Sequence, residues 1–304
     1  MSRIAALDLG TNSSRFLCVD SEADRIRPET IQGRETRITR LGEGVDDSGV
    51  IAESAVNRVL KAVRDFDRTV QGLGGTWVGG IATSACRRAS DSSVEELFEE
   101  LESLLGVRPE IIDGRREAEL THKGVRASLP PNEGTIVDIG GGSTEWIPFE
   151  REGLVSARSF NVGVVTLNER CVDPERYTRQ AVDCMEDEIE ERLPENLMGP
   201  TPLITVGGTG TTLSSMMMKL DRYDPARVHG SRIQRNDVAE FRRTMRDQTF
   251  EELGQEPMIQ PGREDVILPG VLILDAALEV LEGRETVVSD LGVLTGYLSE
   301  WIDS

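Results

Sequence analysis

The stretch Asp8-Leu9-Gly10-Thr11-Asn12-Ser13-Ser14 returns 130 residues later as Asp138-Ile139-Gly140-Gly141-Gly142-Ser143-Thr144-Glu145. In both places an apolar run ends on an aspartate and gives way to glycine and hydroxyl residues, the pattern of a strand feeding a tight turn. Such a turn exposes backbone N–H groups beside a carboxylate, so it can hold phosphate oxygens and a hydrated metal ion together. One glycine-rich turn could equally be an ordinary hairpin, because glycine is the default wherever φ must be positive. Two with the same spacing, followed by a third in Val206-Gly207-Gly208-Thr209-Gly210-Thr211-Thr212, read as a phosphate clamp.

Outward from these turns the chain alternates strand and helix, which indicates an α/β layer architecture. Residues 3 to 20 read as two strands joined by the first turn, and Ile31 to Ile38 as a third. Val56, Val59, Leu60, Val63 and Phe66 then mark one buried stripe of a helix over Ile51 to Gln71. A strand from Trp77 to Thr83 and a helix from Val94 to Leu105 follow. The pattern restarts after Pro130-Pro131-Asn132, with strands over Thr135 to Ile139, Thr144 to Phe149 and Leu154 to Val162, then an acidic helix over Arg176 to Leu193. The third turn, after Leu203 to Val206, precedes a helix through Met216 to Met218, whose methionines read as core filling. A strand and turn at Val287 to Gly292 lead to a last helix, Val293 to Ile302, expected to cross back onto the first half.

At 304 residues the chain exceeds the size at which one core keeps growing, so two domains are expected, with a ligand site between them. The boundaries are set at 1–121 plus about 291–304, and 122–290. No apolar stretch approaches the roughly 20 residues of a membrane span, and Asp8 interrupts the short N-terminal apolar run, against a secretory signal. Cys18, Cys86, Cys171 and Cys184 show no C-x-x-C spacing and are read as reduced, packed thiols of a cytoplasmic protein. Two histidines, His122 and His229, leave little material for a zinc site or a Ser-His-Asp triad.

The formal charge of −20 is unevenly spread: residues 1–130 carry 18 basic against 22 acidic side chains, residues 131–304 carry 16 against 32. The acidic excess argues against nucleic acid as a partner. Arginines cluster at Arg34, Arg37 and Arg40, at Arg87 and Arg88, and at Arg115 and Arg116. Their planar forks suit phosphate oxygens, although exposed ones can equally pair with neighbours such as Glu35 or Glu119.

Duplicated α/β halves that each open on Asp-x-Gly resemble the actin, sugar-kinase and heat-shock ATPase superfamily. Within it the chain resembles the exopolyphosphatase/guanosine pentaphosphate phosphohydrolase (Ppx/GppA) family, in its short two-domain form. The resemblance runs through DLGTNSSR (8–15), ATSACRRA (82–89), GRREAEL (114–120), DIGGGSTE (138–145), NVGVVTLNE (161–169), VGGTGTTL (206–213), YDPARVHG (223–230), DVILPG (265–270) and SDLGVLTG (289–296). It implies duplicated ribonuclease H-like (actin-like ATPase) domains with an interdomain cleft.

The resemblance further implies that Glu117, in the Glu117-Ala118 step, is the general base that orients the attacking water. Its flanking Arg115 and Arg116 fit a carboxylate that works near phosphate. Arg87 would neutralise charge on the departing phosphate, and Asp8 and Asp138 would hold Mg²⁺ partly through water. Gly10, Thr11, Asn12, Ser13, Gly140, Gly141, Gly142, Ser143, Thr144 and Gly208 would bind phosphate. The implied reaction is in-line attack of water on a terminal phosphoryl group, where positioning and charge neutralisation supply most of the acceleration. The implied substrate is inorganic polyphosphate in short chains, or guanosine pentaphosphate, and the implied assembly a homodimer.

Three family motifs are altered: Arg116-Glu117-Ala118-Glu119 replaces Glu-Glu-Ala-Arg, Asp91 replaces an asparagine, and Gly292-Val293-Leu294-Thr295-Gly296 lacks an arginine and a glutamate. An ATP-dependent small-molecule kinase of the same superfamily and a non-catalytic alarmone sensor are the alternative readings. A kinase consumes ATP only with an acceptor, and retention of Glu117 argues against the sensor.

Overall fold

The computed structural model describes residues 2–23, 25–171 and 176–302. The chain separates into two compact units, residues 1–128 with 291–304, and residues 129–290.

In the first unit, β1 (Arg3–Leu9), β2 (Ser13–Asp20), β3 (Ile31–Ile38), β4 (Gly75–Ala82) and β5 (Glu110–Ile111) form one sheet in the order β3-β2-β1-β4-β5. The β1-β2 and β2-β3 pairs are antiparallel, while β4 joins β1, and β5 joins β4, in parallel. Parallel neighbours need crossover connections, and helices provide them. Here they are α1 (Val45–Ser48), α2 (Glu53–Gly72), α3 (Ser84–Arg88) and α4 (Asp91–Leu105), with α5 (Gly114–Ser128) after β5. The long α2 buries Ala55, Val59, Leu60, Val63, Phe66 and Val70, a stripe at helical spacing. Phe66 meets Phe16 of β2 at 5.1 Å between ring centroids, and Trp77 of β4 meets Phe16 edge-on at 6.1 Å. The indole of Trp77 donates to Asp67 Oδ1 at 2.9 Å, so its polar end is satisfied at the edge of this core.

In the second unit, β6 (Gly134–Ile139), β7 (Thr144–Glu150), β8 (Gly153–Leu154) and β9 (Arg158–Phe160) lead to α6 (Val164–Cys171) and α7 (Arg179–Arg192). Next come β10 (Leu203–Val206), α8 (Gly208–Met217), α9 (Pro225–Val228), β11 (Arg232–Gln234), α10 (Arg235–Arg246) and α11 (Phe250–Leu253). The unit ends with α12 (Ile267–Val280) and β12 (Glu285–Ser289). Strands β9-β7-β6-β10-β12 repeat the first sheet strand for strand, two antiparallel pairings followed by two parallel ones, with β8 and β11 added at the edges. The chain is therefore a duplicated ribonuclease H-like α/β fold. Helix α12 is buried on nearly every side, which its Ile-Leu-Val composition requires, and forms the middle of the second core.

The last helix, α13 (Val293–Ile302), belongs to the first unit and lies along α5. The approach is backbone to backbone: a Cβ on Gly124 would fall on the Gly292 carbonyl, and one on Gly296 on the Leu120 carbonyl. Because α5 buries Ala118, Leu120, Thr121, Gly124 and Val125 on that same face, it runs unbroken through residues 121 and 122, and the division between units falls at its end.

Other boundaries also move. The strand expected over 154–162 is interrupted and survives as β8 and β9, and the helix expected from Arg176 starts at Arg179, where Thr178 accepts from the Ala181 N–H. The cysteine reading changes as well. Cys171, closing α6, and Cys184, on the second turn of α7, are joined in a disulfide across 5.7 Å between Cα atoms. A separation of 13 residues has no local signature; packing of α6 on α7 makes the pair. Cys18 and Cys86 are free and buried, and burial pushes the Cys86 thiol up to about 12 and raises that of Cys18 as well.

Three outcomes are expected. Gly296→Ala should cost roughly 1–3 kcal/mol in thermal or urea unfolding, because a methyl group forces two helix backbones apart. Gly72→Ala, with nothing within 4 Å of the added Cβ, should be close to neutral. Thiol titration of the unfolded, unreduced chain should find two reactive cysteines, rising to four after reduction, while the folded chain should react with neither Cys18 nor Cys86 at pH 8.

Candidate active site

The first turn is set by the β1-β2 register, which places Asp8 opposite Arg15 and Leu9 opposite Ser14. The Gly10 N–H donates to the Ser13 carbonyl at 3.0 Å and closes the loop between them. Behind it, the Asn12 carbonyl accepts from the N–H groups of Thr39 and Arg40 at 3.0 and 2.9 Å, and the Thr11 carbonyl from Gly42 at 2.9 Å. Gly42 is packed between the side chains of Thr11 and Ala85, and the Thr83 N–H donates to the Leu9 carbonyl at 3.2 Å. Helix α3, which carries Arg87, is thereby seated against the turn.

Asp8 is only 1% exposed. Its Oδ2 accepts both Arg15 Nε, at 2.9 Å, and Arg15 Nη2, at 2.6 Å. Its Oδ1 is buried without a hydrogen-bond partner among the described residues, and so are Thr11 Oγ1 and Asn12 Oδ1. Buried polar atoms are normally paired, so three unpartnered oxygens in a five-residue turn mark a place prepared for a ligand. Hard oxygens of this kind suit a hydrated divalent cation or the donors around a phosphate.

The second turn repeats the first. The Gly140 N–H donates to the Ser143 carbonyl at 2.9 Å, and Asp138 and Ile139 face Glu145 and Thr144. Here the support comes from α6, whose Val164 and Val165 N–H groups donate to the Gly140 and Gly141 carbonyls at 3.0 and 2.8 Å. Gly163 lies so close that a Cβ would fall 2.5 Å from the Gly141 oxygen. Thr144 does not present its hydroxyl to the turn; Oγ1 donates inward to the Val162 carbonyl at 2.6 Å.

The same 130-residue offset brings out one difference. Position 15 is an arginine, but position 145 is a glutamate, 1% exposed, whose Oε1 accepts from Ser159 Oγ at 2.7 Å. Asp8 therefore faces a cation across the hairpin, and Asp138 faces a second acid. Carried one residue past the turn, the repeat aligns Glu145 with Arg15, and this is the sequence signal for its place. Among the described residues no cluster of three or more metal-ligating side chains is present, so a cation at either turn would take its remaining ligands from water or substrate.

The third glycine segment is not a turn but the start of a helix. Gly207 (φ 97°) closes β10 within reach of Asp138, 3.4 Å from Oδ1 to a built Cβ, and Gly208 opens α8. The guanidinium of Arg263 lies directly over Gly208, where a Cβ would push it aside. Nothing local in the sequence marks Arg263.

Glu117 sits in the first turn of α5, where its N–H donates to the Asp113 carbonyl at 2.9 Å. Its partner is Arg87, whose Nη1 donates to Glu117 Oε2 at 2.9 Å and to the Ile112 carbonyl at 2.8 Å. The expected flanking arginines point elsewhere: Arg115 pairs with Glu119 at 3.0 Å and Arg116 with Glu300. Consecutive helical residues project about 100° apart, so neighbours in sequence do not share a face. The other arginine clusters also disperse, Arg37 to Glu35 and Arg88 to Asp46.

Paired aspartate-led glycine turns on a duplicated ribonuclease H-like frame, with a carboxylate–guanidinium pair on the unit that carries the first, are an arrangement suited to phosphoryl chemistry. The chain belongs to the Ppx/GppA phosphatase family, whose model matches residues 19–304. It is 33% identical over 314 residues to Exopolyphosphatase 2 of Mycobacterium tuberculosis, with 97% of each chain covered. The crystal structure of an exopolyphosphatase from Cytophaga hutchinsonii superposes with a TM-score of 0.88 at 25% identity, covering 99% of this chain and 98% of that one. That of the Aquifex aeolicus Ppx/GppA family member does so at 0.80 and 27%, covering 99% and 98%. The enzyme class is accordingly that of hydrolases of phosphoanhydride bonds. Among the described residues no helix is long and apolar enough to cross a membrane.

Replacing Arg15 by alanine should strand a buried carboxylate. A loss of about 2–3 kcal/mol in urea unfolding is expected, and Asp8→Asn in the same background should restore much of it.

Proposed function

We propose that the protein is an exopolyphosphatase that removes orthophosphate from the ends of inorganic polyphosphate, with a preference for short chains. The observation that carries this reading is the equivalence of the two turns: the same Gly N–H to Ser carbonyl closure, the same aspartate two residues earlier, once in each unit. Each turn would meet the oxygens of an anionic substrate with N–H groups not used in its own closure, Thr11 to Ser13 in the first unit and Gly141 to Ser143 in the second, where the first turn of α8, at Gly208, adds its helix N-terminus. Arg263, over Gly208, supplies a fork for the same oxygens.

Phosphatases of this family are generally divalent-metal dependent, and Mg²⁺ fits the donor set: all-oxygen, few protein ligands, room for water. In the first unit Asp8 would hold it through Oδ1, or in the second Asp138 with Glu145, and when bound it would offset charge on the phosphate oxygens. Glu117 takes a proton from the attacking water as general base. Arg87 holds that carboxylate in one rotamer and, when substrate arrives, offers its fork to the phosphate being released. The preference for short chains follows from the net acidity of the second half, whose positive charge is gathered in places rather than spread as a track that a long polyanion could follow from the site. The same acidity supports a protein with neither nucleic acid nor membrane among its partners, while a cytoplasmic homodimer is what the family resemblance implies.

Phosphate release from tripolyphosphate, long-chain polyphosphate, guanosine pentaphosphate and ATP, each with and without Mg²⁺, decides the reading. Turnover should need Mg²⁺, proceed with water alone and not keep rising with chain length. Faster release from guanosine pentaphosphate would transfer the assignment to that substrate, and release from ATP only with an added acceptor would make the protein a kinase. Glu117→Gln should lower kcat by about 10²–10⁴-fold while substrate binding persists.

A further inference from the structure

We infer that the second unit carries a separate binding site for a short linear phosphate chain, away from the glycine turns, in the cavity between the start of α7 and the end of α10. The cavity measures about 620 Å³, within the range of sites that hold small molecules. Four arginines line it: Arg176, Arg179, Arg242 and Arg246. The unit that contains them has sixteen basic residues against thirty acidic ones, so a quarter of its positive charge is gathered at one opening.

The acids nearby do not cancel this charge evenly. Arg242 is committed, bonded to Glu186 and, at 2.8 Å, to Asp275. It consumes Glu186 and serves as a wall. Asp183 lies 4.0 Å from Arg179 with its side chain 64% exposed, and Asp247 lies 3.3 Å from Arg246 at 71% exposed. Loose, solvated pairs of this kind are worth little and yield readily to a competing anion. Three guanidinium forks, on Arg176, Arg179 and Arg246, are thus open to a ligand that supplies several oxygens in a row, which a chain of phosphates does and a single carboxylate does not.

The remaining wall favours the same occupant. Helix α7 begins at the cavity with 14 residues behind it, and Thr178 takes only the Ala181 N–H, leaving first-turn donors for an anion. Arg246, in the last turn of α10, offsets that helix's opposite dipole. The cavity is also firmly shaped: Arg176 and Thr249 form an antiparallel bridge across it, and buried Tyr177 donates its hydroxyl to the Glu264 carbonyl at 3.1 Å.

This site does not depend on the roles given to Asp8, Asp138 or Glu117. Calorimetric titration with tripolyphosphate in EDTA, where a metal-dependent hydrolase is idle, tests it directly. The wild-type chain should show a binding event that weakens at least tenfold in Arg176→Gln/Arg179→Gln/Arg246→Gln, steepens its salt dependence relative to orthophosphate, and returns in part with three lysines. Arg179→Gln alone, at a side chain 92% exposed and so without consequence for folding, should weaken it several-fold. Unchanged binding in the triple variant, or orthophosphate competing as well as tripolyphosphate, would overturn the proposal.

Discussion

One backbone hydrogen bond, made twice, holds the functional parts of this protein in place. When the Gly10 N–H reaches the Ser13 carbonyl, and the Gly140 N–H the Ser143 carbonyl, each hairpin reverses within a few residues, and the aspartate just before it stays inside the sheet. The geometry leaves no room for a side chain at the reversal, since a Cβ on Gly10 or Gly140 would approach the serine oxygen to 3.0 or 2.9 Å. From that closure follow the burial of Asp8 and the need for a supporting segment behind each turn.

The two turns are copies in backbone and opposites in charge. Arg15 pairs with Asp8 from across the hairpin and leaves one oxygen for something else, while Glu145 sets a second carboxyl opposite Asp138. The same backbone loop is therefore backed by different side chains in the two halves. Duplication supplied the frame, and a substitution one residue beyond the repeated turn differentiated it. The supports differ too, a loop at 39–42 in the first unit and the start of α6 in the second, the latter stapled at its far end by Cys171–Cys184.

Much of this was legible in the chain because it is local. The 130-residue repeat, the buried stripe of α2 and the strand-turn-strand openings each depend on spacing within a few residues, and the duplicated sheet follows from them. What was not legible depends on residues far apart meeting. Arg115 and Arg116 sit beside Glu117 in sequence and face away from it in space, whereas Arg87, 30 residues distant, is its partner. Arg263 over Gly208 and the Cys171–Cys184 pair are of the same kind. So is the unbroken passage of α5 through residue 121, decided by helix α13 from the other end of the chain.

By itself the sequence determined the α/β class, the duplication, the two aspartate-led glycine turns and the carboxylates beside them, because period, glycine placement and acid position are properties of short segments. Only the tertiary structure decided which charge faces which: Arg15 with Asp8, Glu145 opposite Asp138, Arg87 on Glu117, four arginines around one cavity. Side-chain pairing is set by how sheets and helices pack, and the packing is a condition on the whole unit that no single segment carries.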